Sequence, residues 1–572
     1  MSEEASKLPK DIAAEEGKVN VQINGTWHRF PRGTRIADAC RSVGVPIPCF
    51  CYHPKLAVVG SCRMCMVEQG MPPRLAPGQT PSYDENGYQR IQWMPRPIIS
   101  CANTVAENMG IRTDSPLASE ARRGVMEFLL TSHPLDCPIC DQAGECKLQE
   151  YSNDYGQVEG RYEEKKTKKG KNLSIGPRVN LDQERCVRFM RDIMHDEVLT
   201  MAQRGTFNAI TVYPGRELDS NYSLNTVDLC PVGALTSKDF RFKMRVWFLK
   251  ETKTIDVDCG TGTNIILWTR EDKVYRITPR PNDAVNSCWM PDSHRLNYKY
   301  INAETRIPQP VIRTDAGAPH RPSTWEPALA SVTEAVKRVA PHQLAIIASG
   351  RMTNEELYMV RHLAAQIGTD MVDIVPRMGE SDGMLIAADR NPNTNGARLV
   401  LGIEPGSRLA AIRDGVRNGS IKGILTLGED LTAPEAGFTA EDLKKLDYLF
   451  MTAHSVNETA RHADLVLPGV TYAEKFGTMI NVTGRIQRLN RAIQPVGYAR
   501  DDWQIFRDIT LLLGGNPALK DFNSALDVLT VMSTEYDALN GVTWGSIGDG
   551  GQPILETGVT IPVVEHEKSQ GR

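Results

Sequence analysis

The sequence predicts a multidomain protein, α+β in its first half and doubly wound α/β in its second. Three observations carry this. All thirteen cysteines fall at or before Cys288. The first patterned stretch reads hairpin, helix, cysteine-rich loop, a β-grasp order of elements. From about residue 309, short apolar strands alternate with helical segments, which implies a mostly parallel sheet. At 572 residues the chain is too long for one core.

Composition narrows the function. Lys and Arg (66) do not exceed Asp and Glu (70), and the formal net charge is −4, which argues against a nucleic-acid binder. The opening residues, 1–17, are acidic and polar and lack the basic and apolar regions of a signal peptide. They read as a flexible N-terminus. No apolar run reaches about 18 residues, so no transmembrane helix is expected. Any membrane role is expected to come through partners. An unexported chain keeps its cysteines reduced, and short C-x2-C spacings then favour metal ligation.

KVNVQI alternates apolar and polar, Asn24-Gly25 supplies a hairpin turn, and TWHRF returns. A helix is expected over GTRIADACRSVGV, with Thr34 as its cap, Gly44 at its end and Cys40 on its buried face. Next, Cys51, Cys62 and Cys65 are spaced C-x10-C-x2-C, and Cys101 is the nearest later cysteine. Four thiolates are the ligand count of a [2Fe–2S] cluster, as in plant-type ferredoxins. Gly60 and Ser61 let backbone N–H groups approach such a site. Four thiolates also suit zinc, and Cys49 competes with Cys51 two residues away.

HPLDCPICDQAGEC places His133, Cys137, Cys140 and Cys146 within fourteen residues. Pro134 and Pro138 stiffen the loop and Gly144 permits a tight turn. The set is expected to hold a metal, with a zinc Cys3His site open on spacing alone. A helix precedes it over ASEARRGVMEFLLTS, with Val125, Phe128 and Leu129 at helical spacing. RYEEKKTKKGKN, residues 161–172, reads as a solvated basic connector.

FCYHPKL, GSCRMCMVE and RTDSP resemble the large iron–sulfur subunit (the G subunit) of the NADH–quinone oxidoreductase of respiratory complex I. That resemblance implies a [2Fe–2S] cluster on Cys51, Cys62, Cys65 and Cys101, choosing Cys51 over Cys49. It also implies a [4Fe–4S] cluster on His133, Cys137, Cys140 and Cys146. A neutral imidazole leaves such a cluster less negative and raises its potential. The chain departs from the family twice. Thirty-five residues separate Cys65 from Cys101, and 72–97 reads as an inserted loop with a hairpin at Asn86-Gly87. Such lengthening costs little closure entropy.

The second departure lies in the next module. The family carries C-x2-C-x2-C, then 43 residues, then CPVGAL. Here Cys186 and Cys230 match the last two ligands, and the first two fall at Asn180 and Gln183. In the other alignment LDQERC matches the first ligand and CVRF the third, as if six residues had been removed. Two thiolates do not hold an ordinary cubane, so this second [4Fe–4S] cluster is expected to be absent or impaired unless replacement ligands complete it. The stretch from Thr254 to Tyr300 resembles the cluster module at the front of molybdopterin oxidoreductases. Its ligand positions hold Asp256, Cys259, Thr263 and Pro291, and Cys259 with Cys288 makes no cluster site.

In the last half, QLAIIASG, ARLVLG, IKGILTLGED, LDYLFMTAH and ADLVLPG read as strands, and NEELYMVRHLAAQIG and EDLKKL as helices. The stretch from HSVNETARHADLVLPG through RDDWQIF resembles the molybdopterin-oxidoreductase fold. No cysteine is available there to ligate molybdenum, so no molybdenum is expected. Gly428-Glu429-Asp430 reads as turn chemistry.

The expected domains are then a ferredoxin-like domain (18–110), a His/Cys3 module (117–156), a module with an incomplete ligand set (157–250) and a degenerate cluster module (252–308). A molybdopterin-oxidoreductase-like domain (309–515) and a polar C-terminal tail (516–572) complete the chain.

The resemblance implies an electron relay with no catalytic residues of its own. It would pass electrons from a flavin subunit that oxidises NADH, through other peripheral-arm subunits, toward quinone. The expected location is the cytoplasmic side of the cell membrane, held through partner subunits. Two other readings share the modules: the catalytic subunit of an NAD-linked formate dehydrogenase, and a structural paralogue with a broken relay.

Overall fold

The computed structural model describes residues 17–562, apart from 75, 77–79, 81, 85, 86, 135, 167–171, 182–187, 205–208 and 314–317. The described chain divides into two compact units, one up to Val246 and one from Trp247 onward.

The first unit opens with the hairpin Lys18–Ile23 and Thr26–Pro31. Asn24 and Gly25 both have positive φ (48° and 88°), as a type I′ turn requires. The strand Met109–Arg112 pairs parallel to Lys18–Ile23 and antiparallel to Met66–Met71, which closes a β-grasp sheet. Val19, Val21 and Ile23 point from it into a core shared with Ile36, Cys40 and Ile111.

The first helix runs Ile36–Ser42 and is capped differently from the sequence expectation. Thr34 does not cap it; its hydroxyl donates to the Pro31 carbonyl at 2.7 Å. The free N–H groups of Ile36 and Ala37 instead donate to the carbonyls of Asn103 and Ser100, at 2.9 and 3.1 Å. A neighbouring loop meets the helix end, and that loop carries Cys101. Gly44, with φ +78°, lies just past the helix end as expected.

The stretch 72–97 is not all loop. Gln92–Trp93 extends the sheet beside Met66–Met71, and Tyr83 bridges Gln89 around Gly87. Asn86, the expected turn residue, lies outside the described residues. The helix Pro116–Thr131 forms where expected, with Ser115 capping it. Phe128 does not face the core, however: it is 82% exposed, and Met126 and Ala118 are the buried contacts.

The second unit holds the three-stranded sheet Lys250–Ile255, Asn264–Arg270 and Lys273–Pro279, then a seven-stranded sheet. The strands Leu465–Pro468, Tyr448–Ala453, Gly423–Leu427, Leu344–Ala348 and Val372–Ile374 run parallel in that order. ARLVLG is a correction: it lies in the helix Thr394–Leu401, ended by Gly402 in the left-handed region. A short apolar run cannot by itself distinguish a strand from a buried helical turn.

The expected tail is a second correction. Residues 516–553 include the helix Ala525–Glu535, whose Val528, Leu529 and Met532 pack into the main core with Phe506 and Trp503.

A buried charge network ties this unit together. Asp502 opens the helix Asp502–Leu512, and burial pushes its carboxyl up to about 7. Its neighbour Glu356 pushes the same way, while Lys475 opposes. An unfolded aspartate titrates near 3.9. The native state therefore prefers the protonated form, and this contribution to stability is full below about pH 4 and lost as pH rises toward 7. Asp502→Asn is expected to gain melting temperature relative to the parent between about pH 5 and pH 8. A difference that stays constant across that range, followed by calorimetry, would contradict the assignment.

Candidate iron–sulfur sites

The loop between the first helix and the strand Met66–Met71 brings Cys51, Cys62 and Cys65 against Cys101. The N–H of Cys51 donates to Cys62 Sγ and the N–H of Cys62 donates to Cys51 Sγ, both at 3.5 Å. The N–H and hydroxyl of Ser100 both donate to the Cys65 carbonyl, at 3.1 and 2.8 Å, which fixes Cys101 beside Cys65. Gly60 and Arg63 take positive φ to make the loop tight enough.

The four thiols lie within hydrogen-bonding reach of one another. Cys101 reaches both Cys51 and Cys65, and Cys62 reaches Cys51. Hydrogen bonds received from these neighbours hold Cys51 well below the ordinary thiol range and bring Cys65 down to about 6. Their donors, Cys62 and Cys101, are pushed far up. Four thiols within hydrogen-bonding reach of one another make a donor set that a cationic centre would complete by displacing their protons. These residues fit a four-thiolate group.

Cys49 is close enough to feel Cys65 and Cys51 but turns its thiol elsewhere. Its thiol donates to the Tyr52 carbonyl at 3.9 Å, and burial pushes it up.

Guanidinium groups surround the loop. Arg188 donates to the carbonyls of Cys51 and Ala57, Arg35 to that of Cys101 at 3.2 Å, and Arg122 to that of Met66 at 2.9 Å. Sequence reasoning missed these three. Their partners are backbone carbonyls distant in sequence, which no spacing reports. Positive charge here stabilises the more negative state of a bound redox group and so raises its potential.

The second site is built on a 3-10 turn, Cys137–Ile139, and on the N-cap of the helix Lys147–Tyr155, which is Cys146. Cys137 is exposed, Cys140 half-buried and Cys146 buried. Cys146 is raised by burial and also feels Cys137 and Cys230. His133 is half-buried just past the end of the helix Pro116–Thr131. Gly144 has φ +92°, the tight turn expected of it. Arg245 donates to the carbonyls of Cys140 and of Pro138 (2.6 Å for the latter), gripping the loop from outside.

Gly233 packs directly on this loop. A Cβ there would stand 2.6 Å from Cys140 Sγ and 3.0 Å from Gln142 Cβ. Gly233→Ala is therefore expected to displace Cys140 and lower iron loading at this site several-fold while the four-cysteine site keeps its iron. Unchanged total iron and sulfide in the variant would refute that.

The first loop touches the helix that follows the second. Phe50, next to Cys51, meets Tyr151 edge-on at 5.1 Å between ring centroids, and Tyr151 lies on the helix that Cys146 caps.

The third ligand set is different. Cys186 and Gln183 lie outside the described residues. Asn180 sits in the strand Val179–Leu181, its amide donating to Asn172 Oδ1 at 3.2 Å. Cys230 is buried and its thiol donates to the Val232 carbonyl at 2.9 Å. In the second unit, Asp256, Cys259 and Thr263 are buried and Pro291 precedes a short helix.

Five family models match stretches of the chain. Residues 16–116 match the 2Fe-2S iron-sulfur cluster binding domain, and 122–161 match the NADH-ubiquinone oxidoreductase-G iron-sulfur binding region. Residues 181–236 match the ferredoxin-like domain of NADH-quinone oxidoreductase subunit 3, and 249–299 the NDSU1/NuoG-like 4Fe-4S domain. Residues 383–510 match molybdopterin oxidoreductase.

The chain is 30% identical to the mitochondrial NADH-ubiquinone oxidoreductase 78 kDa subunit of Candida albicans, over 89% of this chain and 84% of that one. It is 30% identical to the Neurospora crassa 78 kDa subunit, over 94% and 86%. With the G subunit of NADH-quinone oxidoreductase from Rickettsia bellii it shares 31% identity, over 85% and 70%.

Proposed function

Since the chain belongs to the family of the NADH–quinone oxidoreductase G subunit and the mitochondrial 78 kDa subunits, we propose that it is the iron–sulfur electron relay of such an enzyme. It works among the other subunits of the complex and carries out no substrate chemistry itself. The formate-dehydrogenase reading is not favoured by these relatives.

The observation that carries the reading is the mutually hydrogen-bonded four-thiol set, lying beside the helix that Cys146 caps. Cys51, Cys62, Cys65 and Cys101 would hold a [2Fe–2S] cluster, and His133, Cys137, Cys140 and Cys146 a [4Fe–4S] cluster. Such clusters, when bound, take up and release single electrons. The residues around them do the rest. Cys101 and Cys65 are buried, which keeps water from that side of the first set. Arg188, Arg35 and Arg245 place positive charge on the ligand loops. Phe50 and Tyr151 join the first loop to the helix that Cys146 caps, which keeps the path between the sets short.

The outward faces suggest where partners sit. Cys137 is exposed, and Ile139 beside it is 68% exposed. Ile139 offers an apolar surface beside Cys137, suited to a covering subunit. We assign this partner to the peripheral arm, with the NADH-oxidising flavin subunit upstream and quinone downstream. Among the described residues no helix is long and apolar enough to cross a membrane. Attachment to the cytoplasmic face of the membrane would come through those partners.

The test uses the assembled enzyme. Cys137→Ser should lower NADH-driven quinone reduction by an order of magnitude or more, while NADH oxidation by an artificial acceptor at the flavin persists. Equal loss of both activities in a fully assembled complex would count against a relay role.

A further inference from the structure

A set of mixed ligands converges in the second unit. Asp256 and Cys259 lie on the turn after the strand Lys250–Ile255, and His294 lies in the short helix Asp292–Arg295. A carboxylate oxygen, the thiol sulfur and a ring nitrogen of these three lie within 4.8 Å of one another, and all three residues are buried. His294 Nδ1 is 2.7 Å from Asp256 Oδ2.

The turn is held in place independently of these side chains. Gly260 N–H donates to the Asp389 carbonyl and Val482 N–H to the Gly260 carbonyl, both at 2.8 Å; Thr261 Oγ1 donates to the Leu385 carbonyl at 2.7 Å. The Cys259 thiol has a weak acceptor in that same carbonyl, 3.6 Å away. Asp258, anchored by Asn297 Nδ2 at 2.8 Å, stands close enough to sense the charges of both Asp256 and His294.

We propose that Asp256, Cys259 and His294 bind one divalent transition-metal ion of the zinc class, as a structural staple. One carboxylate, one imidazole and one thiolate make a borderline donor set, which suits zinc and not calcium or magnesium. Arg351 and Arg390 are near enough to be felt at Asp258 and His294. Net charge therefore does not draw a cation here, and affinity must come from the ligand bonds themselves. Binding releases the Cys259 thiol proton and breaks the His294–Asp256 hydrogen bond, whose proton passes to the other ring nitrogen or to solvent so that the imidazole binds neutral, and no electron is transferred. A water or Asp258 completes the tetrahedron. The ion would close the ligand loop of a module whose other two cluster positions hold Thr263 and Pro291, neither of which can ligate iron through a thiolate.

The experiment is zinc analysis of the full chain with its iron–sulfur clusters loaded, joined to zinc K-edge absorption. One zinc per chain is expected, with one sulfur at about 2.3 Å and the remaining nitrogen and oxygen ligands at about 2.0–2.2 Å. Cys259→Ser and His294→Ala should lose that zinc with iron and sulfide unchanged. Should either variant fail to fold, the parent decides: chelation should lower the melting temperature of the second unit and added Zn2+ should restore it. The proposal is overturned by zinc at background with no thermal response to added Zn2+. It is equally overturned by zinc retained in both variants, or by a four-sulfur shell, which would place the metal on a cysteine set of the first unit.

Discussion

Cys51→Ala is expected to lose the [2Fe–2S] cluster outright, while Cys49→Ala keeps it. Only Phe50 separates the two residues, yet their environments are opposite. Cys51 exchanges hydrogen bonds with Cys62 through backbone and sulfur and reaches Cys101. Cys49 turns its thiol to the Tyr52 carbonyl. Removing Cys51 leaves three thiolates where the cluster needs four. The iron of that site should vanish together with its low-temperature EPR signal. Cys49→Ala removes a half-buried thiol from packing and should leave the signal at parental intensity. A cluster that survives Cys51→Ala but not Cys49→Ala would exchange the two assignments.

Lys475→Met is expected to be the most destabilising single change in the second unit, by about 3–5 kcal/mol. Lys475 Nζ lies 2.8 Å from both carboxylate oxygens of Glu356, and both side chains are almost fully buried. Glu356 is committed elsewhere as well. Its Oε2 accepts the Thr353 N–H at 2.8 Å, the capping box that starts the helix Asn354–Ile367. That helix packs along the helix Asp502–Leu512, so the network sits between two core elements. Without the lysine, a buried carboxylate stays unpaired beside Asp501 and Asp502, whose charges Lys475 also offsets. Glu356→Gln in the Lys475→Met background should recover part of the loss, since the amide still accepts from Thr353. Chemical denaturation of the second unit measures both. A loss below about 1 kcal/mol, the size of an exposed pair, would mean the carboxylate takes up a proton at little cost.

Much of this architecture was legible because its cause is local. The Asn24-Gly25 turn requires positive φ at both positions and has it. The parallel strands of the large sheet are short apolar runs, and four of the five expected were strands. The fifth, ARLVLG, is helical because Asn393 and Gly402 delimit it and its buried face is one-sided. Phe128 has helical spacing, yet it points outward. Periodicity gives a face, and only the fold decides which elements cover it. The region after Gly515 reads as a tail from its polar, Gly-rich end, whereas Leu519, Phe522, Val528 and Leu529 close the main core.

At the sites, cysteine spacing pointed to Cys62, Cys65 and Cys101 and left Cys49 open beside Cys51, which the family resemblance chose; Cys51, Cys62, Cys65 and Cys101 do converge, with Cys101 drawn in by Ser100. Arg188, Arg245 and Gly233 were not legible, because each acts on a loop far away in sequence. His294 lies one helical turn past Pro291, and a search for any ligand near that position would have found it. For the Cys186 and Cys230 pair, only Cys230 is described, buried and close enough for its charge to be felt at Cys146.

The most direct measurement of the relay is iron, acid-labile sulfide and low-temperature EPR on the anaerobically purified chain. One [2Fe–2S] and one [4Fe–4S] cluster give about six irons and about six sulfides, with two distinct reduced signals. That is the predicted result, with Cys186 and Cys230 holding no cluster of their own. About ten irons would show a third cluster completed by other ligands, and the incomplete set would have to be redrawn. Zinc in place of iron, with no sulfide, would contradict the electron-transfer account.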